Sequence, residues 1–136
     1  MRAPAAAAAF LALGCLLAGA EVGLRAWQAH GLVHRLDAEG LRLFEAARQH
    51  QFLAALGLIT CGLMLRSAAS RFTSAGGLAF VAGILCFCGD VYAAAFRDGH
   101  ATLGTAPFGG TLTILAWLLL AVGALRTRGS GAGTQI

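Results

Sequence analysis

The sequence predicts an all-α protein: a four-helix transmembrane bundle with an amphipathic helical lead-in to the second span. Two observations carry that expectation. Of 136 residues, 58% are apolar and 12% charged, against roughly 45–50% and 25% in an ordinary soluble domain. Four windows, about 4–26, 51–66, 74–96 and 107–125, are apolar enough to cross about 30 Å of hydrocarbon at 1.5 Å per helical residue. The connections leave no room for a separate soluble core, so residues 1–126 read as one four-span domain. The Gly/Ser-rich stretch 127–136 reads as a disordered polar tail.

The first window, "MRAPAAAAAFLALGCLLAGA", has a basic start and an Ala18-Gly19-Ala20 site of the kind signal peptidase cuts. Its apolar run continues past Ala20 into "EVGLRAW", longer than an ordinary signal core, so it is expected to stay as a first span. A lipoprotein site at Cys15 fits less well, because "ALGC" lacks the usual leucine. Arg25 and Trp27 suit the headgroup level at the end of this span. Glu21 and Arg25 are four apart, a spacing at which a helix can pair them.

The segment "HGLVHRLDAEGLRLFEAARQHQ" is the most polar of the chain. Asp37 is placed to cap a helix, with Leu36 and Leu41 at the positions of a hydrophobic staple. Leu41, Phe44, Ala47 and Phe52 then repeat at a helical period, so the segment reads as the wet first turns of span two. "RSAASRFTSAGG" and "RDGHATLGTAPFGG" read as the next two turns. Pro107 suits the first turn of the last helix, where a missing N–H costs nothing. Small residues at Gly19 and Gly23, at Ala79 and Gly83, and at Gly109 and Gly110 are expected to let helices approach closely in lipid.

The net charge of +4 comes from arginine alone. Arg2, Arg25, Arg66, Arg71, Arg97, Arg126 and Arg128 stand at span ends, which suits interfacial anchoring and excludes a nucleic-acid interface, whose basic residues would cluster on one soluble face. Counted by face, the arginines divide five against five. The orientation with both termini in the cytoplasm is favoured because one set is diluted along the amphipathic lead-in.

Cys15, Cys61, Cys86 and Cys88 all fall inside spans, where a thiol serves as a small apolar side chain. Cys86 and Cys88 point about 200° apart on a helix and cannot chelate one metal. His30 and His34 share a helical spacing but are interrupted by Gly31. Neither a metal nor any other cofactor is expected, and no nucleophile elbow, phosphate loop or zinc-protease motif occurs.

Ala29-His30, Phe44 with Ala46, Phe87, Gly89, Tyr92, the run Pro107-Phe108-Gly109-Gly110 and Trp117 together resemble the domain-of-unknown-function family numbered 423, the YgdD-like membrane proteins related to transmembrane protein 256. The resemblance covers roughly residues 12 to 125 and implies four membrane helices with no established activity. The family tends to carry a tyrosine-glutamine pair and then a histidine at the start of span two, where this chain has Gln49, His50 and Leu53. It tends to carry a serine beside the glycine of span three, where this chain has Asp90.

An up-down bundle brings the C-terminal ends of spans one and three to the same face as the N-terminal ends of spans two and four. That face collects Glu21, Arg25, Gln28, His30, Glu45, Arg48, Gln49, His50, Asp90, Tyr92, His100 and Thr105. Polar residues inside membrane helices bond across helices or mark pathways. Glu21, Arg25, His30, Arg48, His50 and Asp90 are therefore expected to form an intramembrane polar cluster, with Arg25, Arg48 or His50 as partner to Asp90. The expected function is that of a non-enzymatic accessory or structural subunit, in contact with lipid, with other membrane-protein subunits or with itself, in a bacterial inner membrane. The alternatives are a small transporter or proton-conducting element around Asp90, and a metal- or quinone-dependent redox protein.

Overall fold

A computed structural model describes residues 3–97 and 103–129. Four helices follow in chain order: α1 (Ala3–His30), α2 (Ala38–Ser67), α3 (Arg71–Ala95) and α4 (Ala106–Gly129), with a 3-10 turn at Leu32–His34. Among the described residues there is no strand. α4 runs on to Gly129, three residues into the stretch read as tail, and 130–136 lie outside the described residues.

The helix boundaries follow from local chemistry. The alanine-rich opening of α1 has high helix propensity. The Asp37 carboxylate accepts the Gly40 N–H at 2.7 Å and caps α2, and Leu36 and Leu41 both pack on the Leu32–Phe44–Ala95 cluster, as a staple requires. Arg42 donates two bonds to Glu39, at 2.8 and 2.6 Å, and these hold the Glu39 carboxyl below its usual range. That contribution is present above the ordinary carboxylate pKa and is lost as pH falls through the lowered one. It is small, because the pair is exposed.

α1 packs on α2, α2 on α3 and α3 on α4, while α2 touches α4 lightly. Three helical stretches, Ala5–His34, Arg71–Ala95 and Ala106–Arg126, are long and apolar enough to cross a membrane. α2 is long enough but more polar. The reason is its place between α1 and α3, where Phe44, Ala47, Arg48, Gln51, Ala54, Ala55 and Leu58 are buried on one face. Polar groups on that face meet protein and not lipid. The core below joins Phe10 of α1, Leu58 and Cys61 of α2, Phe80 of α3, and Ala116 and Leu120 of α4. Leu16, Leu85 and Leu125 stay largely exposed on the outside, as a lipid-facing surface does.

Close backbone approach does not occur at every glycine expected to provide it. A Cβ on Gly62 would stand 2.8 Å from the Ala7 carbonyl oxygen, and one on Gly14 2.8 Å from the Ala55 oxygen, so α1 and α2 meet backbone to backbone. Gly83 and Gly109 serve the α3–α4 crossing: a Cβ on Gly83 would lie 2.5 Å from Thr113 Oγ1, and one on Gly109 2.4 Å from the Phe87 nitrogen. Gly19, Gly23 and Gly110 do not pack within this chain, since a Cβ there would meet nothing within 4 Å. They lie on faces turned away from the neighbouring helices.

Gly109→Leu is therefore expected to force α3 from α4 and cost about 1–3 kcal/mol or more, read as a lowered unfolding midpoint in mild detergent. Gly110→Leu, one residue on, should cost nothing, because leucine is the better helix former.

Candidate functional site

Arg66, Arg71 and Arg126 close the apolar stretches at one end of the bundle. A hydrocarbon core of about 30 Å takes about 20 helical residues, which sets the opposite boundary near residues 46, 91 and 106. The polar side chains of α2 and α3 gather just inside it, in four groups.

The first group joins α1 to α2. Arg48 is 6% exposed. Its guanidinium pairs with the Glu21 carboxylate, donates from Nε to Gln28 Oε1 at 3.2 Å and has Glu45 Oε1 3.7 Å away. An arginine fork can serve several acceptors at once, which suits it to such a position. Glu21 thus pairs across helices with Arg48 and not along its own helix with Arg25. Arg25 is exposed and makes no ion pair among the described residues.

The second group ties three helices together through Gln51. Its Nε2 donates to the Leu17 carbonyl at 3.1 Å, and its Oε1 accepts from the Tyr92 hydroxyl at 3.1 Å. Beside it the Cys88 thiol donates to the Ala47 carbonyl at 3.3 Å. Trp27, Phe44, Tyr92 and Phe96 close this end with ring centroids 5.1–6.1 Å apart.

The third group is built on Asp90, which is 2% exposed. Its Oδ1 accepts the Leu103 N–H at 2.9 Å, and its Oδ2 accepts the N–H groups of Thr105 at 2.8 Å and Ala106 at 3.2 Å. Asp90 therefore caps the start of α4 from the neighbouring helix, at the positive end of its dipole. The chain reaches that carboxylate through Gly104, at φ +65°, a conformation glycine adopts without strain. The Thr105 hydroxyl donates to the Cys86 carbonyl at 2.9 Å and fastens the same turn. Two of the expected partners lie elsewhere: among the described residues the ion pairs of Arg48 go to Glu21 and Glu45, and His50 contacts Thr113.

The fourth group holds His50 between α2 and α4. Its Nε2 is 3.0 Å from Thr113 Oγ1, and its ring stacks on Phe87 with centroids 4.0 Å apart. Thr113 in turn donates to the Gly109 carbonyl at 3.1 Å. Thr113→Val is expected to leave the imidazole without this partner and to cost about 0.5–1.5 kcal/mol, measured as a shift in unfolding midpoint.

Of the residues singled out by sequence, Glu21 and Arg48 come together, whereas Asp90 and His50 occupy separate contacts. His30 is exposed at the end of α1, and His100 lies outside the described residues. Gln51 and Thr113 were missed. Gln51 continues the buried α2 series 44, 47, 48, 51, 54, 55, 58, a signal the sequence contains. Thr113 carries no such mark, since it is one of two threonines, with Thr111, in the fourth apolar window.

A cleft opens sideways between α1 and α2 against the first group. Two adjoining hollows of about 300 and 610 Å³ share Arg25, Glu45 and Arg48, and the larger continues over Phe52, Leu53 and Leu56. Among the described residues, no three His, Cys, Asp or Glu side chains are grouped to hold a metal ion.

The family described as "Protein of unknown function (DUF423)" matches residues 24–110. The chain is 34% identical over 117 residues to a UPF0382 membrane protein of Staphylococcus saprophyticus, covering 86% of this chain and 97% of the relative. It is 32% identical to one of Haemophilus influenzae, covering 79% and 86%, and 31% identical to one of Bacillus subtilis, covering 86% and 96%. No solved structure matches.

Proposed function

We propose that this chain, which belongs to the DUF423 family of membrane proteins of unknown function, is a non-enzymatic accessory subunit of a larger membrane assembly, in the cytoplasmic membrane of a bacterium. The observation that carries the proposal is the sideways cleft between α1 and α2. Its floor is the bonded Glu21–Arg48 pair, its rim the exposed charges Arg25 and Glu45, and its lower wall the exposed side chains Phe52, Leu53 and Leu56. A polar notch above an apolar wall has the profile of a membrane helix that carries a polar side chain one or two turns inside its end. Such a helix would cover the Glu21–Arg48 pair on the cleft floor, and the occupant assigned to the cleft is one from a different membrane protein.

A proton-conducting role around Asp90 draws less support, because both carboxylate oxygens already accept backbone N–H groups. Blue-native electrophoresis of gently solubilised membranes tests the subunit reading. The protein should migrate in a complex with a second polypeptide, and Leu56→Trp, which narrows the cleft, should release it. Migration alone in every mild detergent, or only as a complex of identical chains, would overturn the proposal.

A further inference from the structure

At the opposite end of the bundle the charges are one-sided. Arg66, Arg71 and Arg126 stand there, while the described acids Glu21, Asp37, Glu39, Glu45 and Asp90 all stand toward the polar end. No described carboxylate neutralises the three guanidiniums. Arg71 and Arg126 converge on one ring, with their guanidinium carbons 5.2 and 4.5 Å from the Phe72 centroid. Stacking on an aromatic face holds two like charges in place and leaves their N–H edges for an anion.

Beside Arg71 the surface is hollowed. A groove of about 400 Å³ runs between the start of α1 and the start of α3, lined by Phe10, Ser70, Arg71, Ser74 and Leu78 among others. The Ser70 oxygen accepts the Thr73 N–H at 3.4 Å, so its own hydroxyl proton remains for donation. Further along, Leu78 is 62% exposed on the lipid-facing surface. The groove is polar and cationic at the headgroup level and apolar below it.

We infer that this groove binds an anionic phospholipid. The phosphodiester takes the Arg71 guanidinium and the hydroxyls of Ser70 and Ser74, an acyl chain lies along Phe10 and Leu78, and Arg126, on the same Phe72 ring, adds charge. Anionic lipid is concentrated in the cytoplasmic leaflet, so the inference places the arginine end, with the start of α1 and the end of α4, toward the cytoplasm. The guanidinium fork recognises phosphate oxygens bidentately, and the adjoining apolar wall is what selects a lipid over free phosphate.

The test uses the purified full chain in mild detergent, titrated with phosphatidylglycerol, with phosphatidylcholine of the same acyl chains, and with inorganic phosphate. Binding is read by native mass spectrometry and by the thermal midpoint. Phosphatidylglycerol alone should be retained and raise the midpoint. Arg71→Gln should weaken its binding about fivefold, the effect of one arginine at an anionic surface, while Arg42→Gln at the other end should leave it unchanged. Should Arg71→Gln fail to fold, Ser74→Phe, which fills the groove, should abolish retention instead. The inference is overturned if inorganic phosphate or phosphatidylcholine binds as well as phosphatidylglycerol, or if folded Arg71→Gln or folded Ser74→Phe keeps wild-type binding.

Discussion

Arg48→Met is expected to destabilise the bundle by about 3–5 kcal/mol, the cost of removing one partner from a buried ion pair. The loss does not come from the arginine's own packing, since methionine fills a comparable volume. It comes from Glu21, whose carboxylate is 13% exposed and faces Arg48 across the α1–α2 contact. Without the guanidinium, Glu21 must be charged and unpaired or take up a proton, and Gln28 loses the Nε donor at 3.2 Å. Glu45, half exposed and 3.7 Å from Arg48, can turn to the headgroups and adds little. A double replacement, Glu21→Leu with Arg48→Met, should recover most of the loss, because no stranded charge remains. Reversible unfolding in bicelles, followed by circular dichroism, reads both variants.

Asp90→Ala is the second large effect. It removes the acceptor for three backbone N–H groups at the start of α4. A charge-assisted hydrogen bond contributes about 1.5–3 kcal/mol, so the loss should be at least that. Asp90→Asn should cost nearly as much, because one oxygen becomes an NH₂ group that faces donors and cannot accept from them. Hydrogen exchange supplies a local readout: amide protons of residues 103–106 should exchange faster in both variants, while those of Ala54–Leu58 in α2 keep their protection.

Much of the architecture is legible in the chain because membrane burial is written in long apolar runs, and Asp37 caps α2 as its residue type suggests. The pairing of faces is not written so plainly. Gly19 and Gly23 have the same spacing as contact glycines elsewhere, yet they point away from α2 while Gly14 meets it. Spacing fixes that two residues share a face and leaves open which neighbour that face receives. The same limit misdirects Glu21 toward Arg25: the local i, i+4 geometry competes with Arg48, 27 residues away in sequence, and the long-range partner wins because it is buried.

Asp90 shows a different limit. A sequence displays side chains, so a lone intramembrane carboxylate invites a search for a cation among side chains. The backbone N–H groups at a helix start carry partial positive charge, but which carboxylate they meet depends on the return of the chain through Gly104. The expectation that polar residues share one membrane face rests on up-down topology alone. Its division into four separate contacts was set by the packing of the helices.

The Glu21–Arg48 pair bonds α1 to α2 and holds these helices together. A double-mutant cycle on Glu21→Gln and Arg48→Gln, read as unfolding free energies in bicelles, tests it most directly. A coupling energy well above the roughly 0.3–0.5 kcal/mol scatter of independent sites is expected, with the double variant more stable than the two single losses sum to. Additive losses, with no coupling beyond that scatter, would contradict it.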